Sequence, residues 1–189
     1  MKIINETFKW ASSLTQRNDT KYIIIHHRAG DGDVQSIHQG HIERGFSGIG
    51  YHFYVRKNGE VHKGRPIGTV GAHTLGKNQD SIGVCFEGNF EKEFAMSSAQ
   101  QKSGKELIDY LKTLYPMAKV HRHSDFQRTA CPGKKFPFDK IKEGVKDMTV
   151  DEAVEIVQAK SGLEDETIEF LLCYKYGEEL IKKIAEAMI

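Results

Sequence analysis

A chain of 189 residues, 39% hydrophobic and 28% charged with only four prolines, is long enough for one well-cored domain plus an appendage and lies outside the disordered and fibrous classes. No run approaches the roughly 18 consecutive apolar residues that span a bilayer, and the first twenty residues lack an apolar stretch of signal-peptide length, so the expectation is a product made in the cytoplasm with no transmembrane segment. The net charge of +1 conceals a division: the last 45 residues carry five Lys/Arg against eleven Asp/Glu, leaving +7 on the first 144, a sign that suits an anionic polymer without choosing among cell wall, nucleic acid and membrane surface.

Lys21 to His27 (KYIIIHH) is a β-branched run with the composition of a buried central strand, and it ends in histidines. Asp33 to Arg44 places Val34, Ile37, His38, His41 and Ile42 at helical spacing, with Asp33 as N-cap and Gly45 as the stop. Ile49 to Val55 and Glu60 to His62 read as strands joined by a Lys57-Asn58-Gly59 turn. Ser81 to Phe86 is a further strand. Ser97 to Tyr115 is a helix opened by a Ser97-x-x-Gln100 capping box and closed by Pro116. Lys119 to His123 is a short strand running into a loop, 124–133. Strands interleaved with helices predict an α/β domain over 1–145, a central mixed sheet flanked by helices. From 146 to 189 the pattern is helical only, opened by a second box at Thr149-x-x-Glu152 and punctuated by Gly162 and Gly177. About 40 residues make a small independent core, so this all-α segment is expected to serve wall targeting or self-association.

Three scattered cysteines, Cys85, Cys131 and Cys173, cannot form a disulfide framework, and no Cys-x-x-Cys pair supports a closed zinc finger. Nine histidines, several at strand ends, point to an open metal site, which needs three protein ligands and a free fourth position. His123 and Cys131, eight residues apart across a loop, supply two. The third is His26 or His27; neighbouring strand residues point to opposite faces, so only one enters the cleft, and spacing does not say which. His121 and His123 share a face and raise the converse ambiguity. Cys85 and Cys173 read as small buried hydrophobes, and Glu87 as a solvent-facing strand residue.

The segments IIIHHRAG (23–30), GFSGIGYHFYVRKNGEV (45–61), GAHTLGKNQDSIGV (71–84) and HRHSDFQRTACPG (121–133) resemble the type 2 N-acetylmuramoyl-L-alanine amidases, a family that includes amidase-class phage lysozymes and peptidoglycan recognition proteins. The match runs in order over about residues 20–145. The resemblance implies a Zn2+ site of His26, His123 and Cys131, with His27 and His121 left as supporting residues. It implies Tyr51 and Thr129 as catalytic hydrogen-bond donors to the oxyanion, and His73 as a groove residue that orients substrate. Several amidases of this kind carry a catalytic glutamate where Cys85 stands, so the general base is open.

The expected function is zinc-dependent hydrolysis of the amide between N-acetylmuramic acid and L-alanine, by a bacteriolytic phage or prophage endolysin that reaches the wall after release, through a holin or on lysis. Peptidoglycan is the expected partner, nucleic acid is not, and homo-oligomers through the C-terminal helices are anticipated. Rival expectations are a recognition module that binds peptidoglycan without cutting it, a cytoplasmic muropeptide-recycling amidase, and a regulatory partner of another protein. The retained Cys131 favours the enzyme.

Overall fold

The computed structural model describes residues 1–93, 95–144 and 149–188. The chain divides into two compact units, Met1–Val145 and Lys146–Ile189; the boundary expected at 145/146 falls among residues 145–148, outside the described residues. No helix among the described residues is long and apolar enough to cross a membrane.

The first unit is a six-stranded mixed sheet. Its strands are β1 (Ile3–Ile4), β2 (Tyr22–His27), β3 (Phe53–Val55), β4 (Val61–Lys63), β5 (Ser81–Phe86) and β6 (Lys119–Arg122), in the order β1-β4-β3-β5-β2-β6. β2 runs parallel to β5 and to β6, with His26 beside Cys85 in the ladder. β3 is parallel to β5 and antiparallel to β4. Helix α1 (Val34–Glu43) covers one face, and α2 (Ser98–Leu114) with α3 (Phe138–Glu143) covers the other.

The alternation of β2 explains the two cores. Ile23 and Ile25 point into the large cluster with Phe53, Val84, Phe86, Leu107, Ile108 and Leu111. The opposite face carries His26 and, from the neighbouring strands, Tyr54 and Cys85, which pack with Val34 and Ile37 of α1. Gly104 brings α2 close to the sheet: a Cβ there would lie 2.7 Å from the Phe86 ring.

Local chemistry set most element ends. The Asp33 carboxylate accepts the Ser36 amide at 2.7 Å and starts α1; Gly45, at φ +86°, follows its end. The Ser97 hydroxyl accepts the Gln100 amide, but the Gln100 side chain does not return to Ser97. It is buried and donates to the carbonyls of Val55 and Glu87, so the expected capping box is half formed and its glutamine ties α2 to β3 and to the residue that follows β5. The strand expected from Ile49 begins only at Phe53, because the Ile49 and Gly50 amides are taken by the Nδ1 atoms of His38 and His41. Strand β1, two residues long, was not foreseen. Glu87 is buried, accepting from the Gly32 and Lys57 amides at 3.1 and 2.9 Å and facing Arg56; it is a loop clamp, in contrast to the exposed residue expected.

The second unit holds α4 (Val150–Ser161), α5 (Asp165–Leu172) and α6 (Gly177–Met188) around Ala153, Val157, Ile168, Ile181 and Ala185. Its capping box is complete: Thr149 Oγ1 accepts the Glu152 amide, and the Glu152 carboxylate accepts the Thr149 amide. Gly162, in the left-handed region at φ +72°, ends α4.

Candidate metal centre

His26, at the carboxyl end of β2 and 1% exposed, sits with His123 and Cys131 so that one ligand atom of each lies within 4.8 Å of the others. Among the described residues this is the cluster of three metal-ligating side chains. The choice between His26 and His27 is decided by the pleat. His26 turns its Nδ1 to Cys131 Sγ at 3.8 Å, whereas the His27 ring goes to the other face, lies against Phe90 and accepts the Phe90 amide on Nδ1. His123 enters because β6 stops at Arg122 and the chain turns into a short 3₁₀ segment, His123–Asp125, which breaks the alternation that would have paired His123 with His121. His121 turns instead to Asp125 at 3.2 Å and to the Tyr22 ring.

Each of the three carries an outer partner. His26 Nε2 is 3.0 Å from His73 Nδ1, His123 Nε2 is 3.3 Å from Gln127 Oε1, and Cys131 Sγ accepts the His27 amide at 3.3 Å. Burial, with His123 and His27 nearby, holds the His26 pKa well below the ordinary imidazole value, and burial lowers His123 too, so both rings are neutral with a lone pair to give. Burial pushes the Cys131 thiol up to about 11, against the His27 amide, which lowers it.

This donor set fits a divalent zinc. Tetrahedral zinc with nitrogen at about 2.0–2.1 Å and sulfur at about 2.3 Å separates its ligand atoms by roughly 3.3–3.6 Å, so small side-chain movements close the cluster. A buried thiol with a raised pKa beside two neutral imidazoles lacks a positive charge, which a bound cation would supply.

Tyr51, just before β3, packs its ring 5.1 Å from His26 and 5.5 Å from His41, and its hydroxyl meets Cys85. Burial, then Cys85 and Cys131, raises its pKa well above the phenol value, so it remains a donor. Thr129 is exposed on the loop before the cysteine, where its Oγ1 accepts the Cys131 amide at 3.2 Å. His73 is half-buried and lies behind His26, against the backbone of Gly71 and Gly83; a Cβ on Gly83 would come within 2.6 Å of its ring. Gln127 carried no signal in the sequence, because its partners, His123 and the Leu75 carbonyl, are identified only by the fold.

The other histidines are structural. His27, His38, His41 and His52 each accept a main-chain amide on Nδ1, from Phe90, Ile49, Gly50 and Gly83 respectively. His62 is paired with Glu6 at 2.7 Å.

Comparison with known proteins identifies relatives of this fold. The family described as N-acetylmuramoyl-L-alanine amidase matches residues 16–134. The endolysin of Klebsiella phage KP32 is 36% identical over 126 residues, covering 62% of this chain and 83% of the phage protein, and the endolysin of Escherichia phage T7 is 35% identical over 127 residues with the same coverage. The solved N-acetylmuramoyl-L-alanine amidase LysC from Clostridium intestinale URNW superposes with a TM-score of 0.73 at 39% identity, over 76% of this chain and 96% of LysC. A sheet that gathers two histidines and a cysteine at its strand ends, matched over more than half its length to these enzymes, belongs to the N-acetylmuramoyl-L-alanine amidase family.

Proposed function

We propose that this chain is a zinc-dependent endolysin that hydrolyses the amide between N-acetylmuramic acid and L-alanine in peptidoglycan. The observation that carries the metal part is that ligand atoms of His26, His123 and Cys131 lie within 4.8 Å of one another, with the Nε2 atoms of both histidines engaged elsewhere and the sulfur held by the His27 amide. Bound there, zinc supplies Lewis acidity and a water nucleophile at neutral pH.

The chain's own groups do the rest. Tyr51 keeps its proton and stands beside His26, where its hydroxyl donates to the oxygen that gains charge as the lactyl carbonyl becomes tetrahedral. Thr129 already accepts the Cys131 amide on Oγ1, which leaves its hydroxyl hydrogen free to turn to the same oxygen. Glu87 is committed to two amides and Arg56, so it is not the general base. The +7 charge of the first 144 residues draws the enzyme to the anionic wall, where the protein acts after release from the cell that made it.

The C-terminal unit we assign to association with the wall or with a second copy. Phe170, Tyr174 and Tyr176 are 62, 58 and 65% exposed there, more aromatic surface than its own small core requires.

Metal analysis of alanine variants tests the assignment. His26→Ala, His123→Ala and Cys131→Ala should each lose stoichiometric zinc and amidase activity together. Full activity in any one of them removes that residue from the centre.

A further inference from the structure

We propose that His73 and Gln127 are positioning residues, anchored on one loop, that fix the protonated nitrogen of both histidine ligands so that each presents Nδ1 to the same cation; this rests on the zinc reading above. The direction of every hydrogen bond follows from groups that have only one option. The Leu75 carbonyl can only accept, so the Gln127 group facing it at 3.3 Å is the amide nitrogen. Gln127 Oε1 therefore faces His123 Nε2, and since that oxygen only accepts, His123 carries its proton on Nε2. Its Nδ1 is left as a lone pair.

The second chain is built the same way. The Ser81 hydroxyl gives its one proton to the Lys77 carbonyl at 2.6 Å, so it accepts from His73 Nε2 at 3.4 Å. His73 Nδ1 is then bare and accepts from His26 Nε2 at 3.0 Å, with the Thr74 hydroxyl beside both nitrogens at 3.0 and 3.3 Å. His26 Nδ1 is thus the lone pair aimed at the Cys131 side of the cluster. Both chains end on carbonyls of the segment 73–80, at Leu75 and Lys77. Asn78 holds that segment by accepting the His73 and Thr74 amides on Oδ1 at 2.8 and 2.9 Å. Partners of this kind set ligand orientation and basicity, and their loss typically weakens metal binding about 10–100-fold.

This changes the part given to His73. Its polar atoms are spent on His26, Thr74 and Ser81, so it serves the metal ligand and not the substrate.

The test is zinc affinity by competition with a chromophoric chelator, for the full chain and for Gln127→Ala, His73→Ala and His73→Gln, alongside 15N-detected imidazole tautomers in metal-free protein. The expected result is binding weakened about 10–100-fold in the two alanine variants, partial recovery in His73→Gln, which restores an acceptor, and Nε2–H tautomers for His26 and His123 in the parent. Gln127 is a half-buried loop residue, so its variant reads the effect even where His73→Ala folds poorly. Tight zinc binding unchanged in Gln127→Ala, or Nδ1–H tautomers in the parent, overturns this inference alone. A parent chain that takes up no zinc overturns the metal reading with it.

Discussion

Acid should unfold the first unit through histidines outside the proposed metal centre, and His52 is the cleanest instance. Its ring is 1% exposed, with Nδ1 accepting the Gly83 amide at 3.0 Å and Nε2 donating to the Thr69 carbonyl at 2.9 Å, so a second proton has no acceptor and displaces a sheet amide. Burial takes its pKa down to about 3, and that of His41, which accepts the Gly50 amide, to about 4. Both values lie below the unfolded value of about 6.5, so the unfolded chain gains the protons first. The contribution is complete above about pH 6.5 and is lost as pH falls toward the folded values. Between pH 7 and 5 each residue therefore costs about 2 kcal/mol, since one pKa unit is about 1.4 kcal/mol. The assay is urea unfolding of chelator-treated protein at the two pH values, followed by the fluorescence of Trp10, the single tryptophan, which lies in this unit. His52→Gln keeps an acceptor and a donor but cannot titrate, so it should lose about 2 kcal/mol less than the parent over that interval. Equal losses in parent and variant would refute the reasoning.

Three further outcomes are expected. His27→Ala should retain stoichiometric zinc, because His27 meets Cys131 through its backbone amide and carbonyl while its ring turns to Phe90; loss of the metal in that variant would reverse the assignment of the two neighbours. Tyr51→Phe should keep zinc and lower turnover about 10²–10³-fold, the usual cost of an oxyanion donor, and a rate equal to the parent's would remove the hydroxyl from catalysis. Gln100→Leu should cost about 1–3 kcal/mol in urea unfolding, since it strips the Gln100 donor from the Glu87 carbonyl and one of two donors from the Val55 carbonyl, which keeps the Glu87 amide, and a loss below about 0.5 kcal/mol would show that the bridge does not matter.

How far the sequence could be read depended on whether a residue's partner was near it in the chain. β2 was legible because a β-branched run admits few alternatives, and the caps at Asp33 and Thr149 because their partners lie three residues on. The pair His26 and His27 was not, since a period of two assigns opposite faces without naming the one that carries Cys131. The strand expected at Ile49–Val55 was overlong because its first amides are claimed by His38 and His41 of α1, a competition between elements that hydrophobic pattern does not register. The contacts of Gln127 with the Leu75 carbonyl and of His73 with His26 were invisible for the same reason: they span 52 and 47 residues. The resemblance supplied the proposed ligand set, and the geometry supplies the reason His26, His123 and Cys131 come together.

The most direct test of the central claim is release of free L-alanine amino termini from defined muropeptides by the purified chain, followed by mass spectrometry, with chelator and then with zinc restored. The account predicts cleavage at that one amide, abolished by the chelator and recovered with zinc. Cleavage that survives complete removal of the metal, or tight muropeptide binding with no cleavage at stoichiometric zinc, would contradict it.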